Sequence, residues 1–193
     1  MDYFKLMNDV LEMNMSDEGF RFWSAIEKKI PPCWNKFSSS TGKYHKKENG
    51  HNPSISQHTH EMLYAAVPLL SMFNIKSKTR ESDIILLAIA FHDSFKYGVE
   101  NKSIFSMYTD SKHDKNTADI ILENREVFKK LFTDDEVILL EECVRYHSGR
   151  WSTDAKKDFS FSKLNPYTMF IHMLDMLSSR NLIKLLPGEN KWN

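Results

Sequence analysis

Asp83-Ile84-Ile85-Leu86-Leu87-Ala88-Ile89-Ala90-Phe91-His92-Asp93-Ser94-Phe95-Lys96 is the run that decides the fold. From Ile84 to Phe91 every position is apolar, so a helix through it is hydrophobic on all sides and belongs in an interior. At its end stand an imidazole and a carboxylate, His92 and Asp93. Losing hydration there costs on the order of several kcal/mol unless each finds a partner. A divalent metal serves both at once, because neutral imidazole and carboxylate are common transition-metal ligands. A hydrogen-bonded His-Asp pair with a structural role is the alternative. Lys96 follows one helical turn after Asp93, where it can meet an anion bound over a metal.

Working outward, other polar residues share this predicament. His58 lies in Ser54-Ile55-Ser56-Gln57-His58-Thr59-His60-Glu61-Met62, which opens with a Ser-x-x-Gln capping box. In the helix that follows, His58 shares a stripe with Met62, Ala65 and Leu69 and points inward. His60, two positions on, faces away and is the poorer candidate. Asp175 sits in the mostly apolar helix Tyr167 to Leu177, started by Asn165 as cap and Pro166 in the first turn. A lone acid there needs a cation. Thr133-Asp134-Asp135-Glu136 is a second capping box, and its helix carries Val137, Leu140, Val144 and His147 on one stripe. His113 opens a helix and shares a stripe with Thr117 and Ile120. Taken singly, His113 and His147 read more simply as satisfied histidines; together with the other four residues they can bind a second metal.

The order His58, His92-Asp93, His113, His147, Asp175 resembles the HD superfamily of metal-dependent phosphohydrolases in its six-ligand form. Gln57-His58-Thr59 looks like the start of the family's first-histidine helix, and Phe91 to Gly98 like its name-giving motif with the following lysine. Asp175-Met176-Leu177-Ser178-Ser179-Arg180 looks like the final ligand and the turn after it. The resemblance spans about residues 38–180. There are two departures: Asn52-Pro53-Ser54 replaces glycines that often precede the first histidine, and His172 stands one turn before Asp175 as a competing ligand. The resemblance implies a helical bundle of HD-domain type with a metal centre in its core.

The chain of 193 residues suits one domain able to bury a sizeable core. A composition of 41% hydrophobic and 27% charged residues is that of a globular rather than a disordered protein. The 26 Lys and Arg balance 26 Asp and Glu, so no global pull toward duplex nucleic acid is evident. Cys33 and Cys143 form no Cys-x-x-Cys motif, and reduced thiols are the default. With no basic-then-apolar N-terminus and no apolar run of spanning length, the expected location is the cytoplasm, with no membrane partner.

The pattern is helical nearly throughout and predicts a single all-α domain. Helices are expected over residues 2–13, 16–30, 54–73, 82–96, 111–123, 133–147 and 165–182, with Pro68 kinking the third. Residues 1–36 form an N-terminal helical extension, packed on the core or contributing a contact between two copies of the chain. Residues 37–53 form a polar loop, and residues 54–182 the metal-binding core. The loop leads into the His58 helix and offers Ser39, Ser40, Lys43 and His45 to phosphate oxygens, the alternative being a solvated loop. On the far side of His147, Arg150 can fork onto a phosphate, and Trp151 or Tyr97 can stack on a base. The plainer reading packs Trp151 in the core and leaves Arg150 in solvent. Arg180, more than a turn beyond Asp175, is a weaker candidate.

The resemblance assigns His58, His92, Asp93 and Asp175 to one metal and His113 with His147 to a second, Asp93 bridging. It implies one or two divalent ions, with Mn, Fe, Co, Ni or Zn suited to the ligand set. Such ions lower the pKa of bound water to roughly 7, giving hydroxide to attack phosphorus while Lys96 offsets developing charge. The implied substrate is a nucleotide. The alternatives are a phosphodiesterase or 3′→5′ exonuclease on cyclic nucleotides or short oligonucleotides, which Tyr44-His45 would suit, and a non-catalytic nucleotide-binding protein.

Overall fold

Side-chain caps start most of the helices. The computed structural model describes residues 1–30, 38–39, 53–97, 110–155 and 159–180. In α1 (Tyr3–Asn14) the Asp2 carboxylate accepts from the Lys5 amide at 3.1 Å, and in α2 (Asp17–Ile26) Ser16 accepts from Gly19 at 2.9 Å. The end of α2 tightens into a 3₁₀ turn, Glu27–Lys29. Ser54 caps α3 (Ile55–Met72), which runs through Pro68 without interruption. A Thr79–Ser82 capping box starts α4 (Arg80–Phe91), two residues earlier than the apolar pattern predicts. Then come α5 (His113–Glu123), the short α6 (Arg125–Phe128) and α7 (Asp134–Arg145), the last with the expected Thr133–Glu136 box. Asn165 accepts from the Tyr167 amide at 3.0 Å and Pro166 opens α8 (Pro166–Ser179).

The chain is an all-α single domain, and α4 is its axis. Every residue from Ser82 to Phe91 is buried, and α4 packs against α2, α3, α7 and α8. Ile85, Leu86, Leu87 and Ile89 are wholly enclosed, each worth about 1.5–3 kcal/mol relative to exposure. Met7, Leu11, Met15 and Trp23 of α1 and α2 belong to the same core, and α1 lies along α3. Among the described residues no helix is long and apolar enough to cross a membrane.

One polar group in α4 is buried by design of its neighbours. Asp83 accepts from the Ser16 amide at 2.8 Å and from the Ser16 hydroxyl at 2.5 Å, tying the start of α2 to the axis. Burial pushes this carboxyl up, while the Ser16 bonds pull the other way. Gly19 leaves room for it: a Cβ there would lie 2.5 Å from Asp83 Cγ. We therefore expect Gly19→Ala to cost about 1–3 kcal/mol by displacing that carboxylate. Urea denaturation checks it, and a variant within about 0.5 kcal/mol of the parent would contradict the packing.

The helix stops at Phe91 rather than Lys96. Residues 92–97 continue as turns, with Ser94 N bonded to Phe91 O at 2.9 Å and Lys96 N to Asp93 O at 3.1 Å. Two further ties shape this end of the bundle. Arg145 of α7 is shared by Glu141, Asp119 of α5 and Asp154, and Asp114 accepts from the Thr153 amide at 2.5 Å and hydroxyl at 2.6 Å. Together they draw the segment after His147 back onto α5.

Candidate metal centre

Three elements and two turns deliver the polar cluster. His58 projects from the second turn of α3, and His92 and Asp93 from the turn that ends α4. His113 is the first residue of α5, His147 follows the end of α7, and Asp175 comes from the third turn of α8. His58, His92, Asp93 and His147 are buried to about one per cent exposure or less, whereas the side chains of His113 and Asp175 are each 14% exposed. The open side of the centre therefore lies toward α5 and α8.

The hydrogen bonds on the outer face of each ring decide what the inner face presents. His92 Nδ1 lies 2.6 Å from the Ile89 carbonyl, His113 Nδ1 2.9 Å from Asp110 O, and His147 Nδ1 2.7 Å from Val144 O. A carbonyl only accepts, so each Nδ1 carries the proton. For His58 the partner is Ser178 Oγ at 2.9 Å, whose own proton goes to Glu61 Oε2 at 2.7 Å. Ser178 thus accepts from His58 Nδ1 too. All four imidazoles turn Nε2 inward, and in a neutral ring that atom is a bare lone pair.

Those lone pairs meet other acceptors. His92 Nε2 is 3.2 Å from His58 Nε2 and 3.5 Å from Asp93 Oδ2. His58 Nε2 is 3.1 Å from Asp175 Oδ1 and 4.0 Å from Asp93 Oδ2. On the other oxygen, Asp93 Oδ1 lies 3.2 Å from His113 Nε2 and 3.8 Å from His147 Nε2. Asp93 Oδ1 and His113 Nε2 are buried and lack any hydrogen bond. Burial pushes the His92 imidazole down to about 3 and also lowers His147, so these rings stay neutral near pH 7. Imidazole lone pairs and carboxylates crowded acceptor to acceptor repel unless a proton or a metal cation lies among them.

The spacing fits a cation. A metal about 2.1 Å from each donor holds donors at most about 4.2 Å apart across it. The donor atoms of His58, His92 and Asp93 all lie within 4.8 Å of one another, and so do those of Asp93, His113 and His147. Asp93 belongs to both through different oxygens. The buried His/Asp cluster is therefore a potential metal site.

Burial raises the Asp93 carboxyl, but Lys96, together with His92 and His113, outweighs this and holds it well below the usual carboxylate range. Asp175 is likewise lowered, burial being opposed by the His58 imidazole beside it. The Lys96 ammonium, expected to meet an anion over the metal, lies directly on Asp93 Oδ2.

The remaining predicted residues divide. Tyr97 is buried and its hydroxyl donates to Ser38 O at 2.5 Å, and Ser39 Oγ donates to Pro53 O at 3.1 Å, so residues 38–39 are pinned beside the start of α3. Lys43, His45 and Ser40 lie outside the described residues. Trp151 is not a core residue: it is 59% exposed, with the Arg150 guanidinium 4.6 Å over its ring. Gly149 before it has φ 61°, and a Cβ there would come within 2.7 Å of His172. Arg180 is exposed at the end of α8. His172 belongs to neither group of clustered donors: its Nδ1 donates to the His147 carbonyl at 2.6 Å, and its ring lies against Phe161 and Gly149. His60 does turn away from the centre, yet it is buried against Tyr3 and Tyr64 rather than solvated. Cys143 is buried, its thiol pushed up to about 12, and offers no nucleophile.

Glu61 and Ser178 were not among the residues the sequence singled out. Their only signal is spacing: each stands three residues after a predicted ligand, on the same helix face. No family model, curated protein or solved structure matches this chain.

Proposed function

We propose that this chain is a metal-dependent phosphohydrolase of HD type acting on a nucleotide. The observation that carries the reading is the placement of Asp93, whose two oxygens each face a separate pair of histidine Nε2 atoms. That is what a carboxylate bridging two divalent ions requires. With Asp93, His58, His92 and Asp175 would hold one ion, and His113 and His147 a second. Ions of the Mn, Fe, Co, Ni or Zn type suit these donors and would supply Lewis acidity and an ionised water near pH 7.

The chain's own residues do the rest. The Nδ1 bonds hold four rings in one orientation, so little reorganisation accompanies reaction. Lys96 sits at the edge of the centre with its side chain 12% exposed. With Asp93 engaged by divalent ions, the Lys96 ammonium would be able to turn to a phosphoryl oxygen. Arg150 offers a planar fork to a second phosphate, and the exposed Trp151 offers a face to a base. Among the described residues no activated serine, threonine or cysteine stands in the cluster, which favours direct attack by water.

The test is a panel of nucleoside triphosphates, cyclic nucleotides and short oligonucleotides, each assayed with several divalent ions and with elemental analysis of the purified protein. Release of phosphate or triphosphate from mononucleotides is expected. Mononucleotides from an oligonucleotide would move the assignment to an exonuclease, and nucleotide binding without turnover to a non-catalytic protein. Absence of bound metal would overturn the reading. Lys96→Ala should keep its metal and lose roughly 10²-fold in kcat, read by steady-state kinetics beside metal analysis. Unchanged kinetics would remove Lys96 from the reaction.

A further inference from the structure

The imidazole of His58 is held at both nitrogens by one helix. Its Nε2 faces Asp175 Oδ1 at 3.1 Å, and its Nδ1 bonds Ser178 Oγ at 2.9 Å, one turn further along α8. Ser178 in turn donates to Glu61 Oε2 at 2.7 Å, and Glu61 lies one turn after His58 on α3. The circuit closes on α3 itself, where Gln57 Nε2 donates to Glu61 Oε1 at 3.2 Å. His58, Ser178 and Glu61 are all buried.

We infer that Ser178 and Glu61 are positioning residues that fix the tautomer of His58 and thereby set metal affinity on that side of the centre. This rests on the reading of the cluster as a metal centre. A serine hydroxyl has one proton. With that proton directed to Glu61, only its lone pairs face His58, and the ring must present N–H there. The carboxylate polarises the hydroxyl, and the polarised oxygen holds the Nδ1 proton, leaving the Nε2 lone pair to face the centre. His92, His113 and His147 use backbone carbonyls for the same purpose, which no side-chain substitution removes. His58 alone relies on side chains, so it alone can be retuned by mutation. Asp175 and Ser178 sharing a face of α8 also means that docking this helix supplies a ligand and orients a ligand in one movement.

The experiment measures cobalt affinity by chelator competition, and the His58 tautomer by ¹⁵N NMR of the metal-free full chain. Ser178→Ala should weaken cobalt binding about 10- to 100-fold and mix the two His58 tautomers. Ser178→Thr, which keeps the hydroxyl, should bind within a few-fold of the parent and retain the Nδ1–H form. Glu61→Gln should fall between them, and with the threonine variant it keeps the test decisive if the alanine variant fails to fold. A hydroxyl that merely docks α8 on α3 would lower the melting temperature of Ser178→Ala with tautomer and affinity unchanged, and that result overturns the inference. If the parent binds no cobalt, the metal reading fails instead, while the tautomer comparison still judges the circuit.

Discussion

Asp93→Ala is expected to remove bound metal and hydrolysis together. Both oxygens of this carboxylate are enclosed at 1% exposure, and each serves a different pair of imidazoles. Losing even an outer-sphere partner costs about 10- to 100-fold in affinity, so losing the shared anion should cost more than about 100-fold. What is left on the His113–His147 side is a pair of imidazoles with no carboxylate to balance a dication. Titrating the parent with metal should raise its unfolding free energy by about 2.7 kcal/mol at a hundredfold excess over Kd. The variant should show no such rise. The substitution is not expected to unfold the metal-free protein, because the neighbouring acceptors lose a repulsive partner and Lys96 reaches solvent. Asp93→Asn separates shape from charge and should resemble alanine in metal content. Parent-like turnover in either variant would end the assignment.

How far the sequence foretold this centre differs from residue to residue. His58 and His147 were legible because each extends an apolar stripe on a helix whose start is marked by a cap. Asp175, an acid inside an apolar helix, finds a partner in His58 at 3.1 Å but lies outside both groups of clustered donors. The same local logic located α4 but extended it past Phe91, since periodicity does not register a switch to tighter turns at a polar site. Helical spacing turns His60 away from the cluster but gives no sign of its burial, because the α1 surface that covers it lies far off in sequence. The Asp83–Ser16 bonds span 67 residues and Ser178–Glu61 spans 117. No window of local pattern contains such pairs. Trp151 shows the reverse limit: a large apolar residue suggests burial, and a left-handed glycine turn places it outside.

The second large effect concerns pH and the histidine that faces the other way. His60 is 2% exposed, packed between Tyr3 and Tyr64, and its Nδ1 has no hydrogen-bond partner among the described residues. Burial pushes its imidazole from 6.5 down to about 4. In that interval the unfolded chain takes up a proton that the folded chain refuses, so stability rises with pH. The contribution is complete above about 6.5 and is lost as pH falls through about 4. A separation of this size corresponds to about 3 kcal/mol. His92 and His147, also lowered by burial, act in the same direction, whereas Asp83 and Glu141, raised by burial, oppose it. A comparison of parent and His60→Phe cancels those shared groups while keeping a ring against Tyr3 and Tyr64. Urea denaturation of both metal-free proteins from pH 7 to pH 4 should show the parent losing about 3 kcal/mol more than the variant. Parallel curves would mean that the folded protein can protonate His60 freely, and that the α1–α3 interface opens to water there.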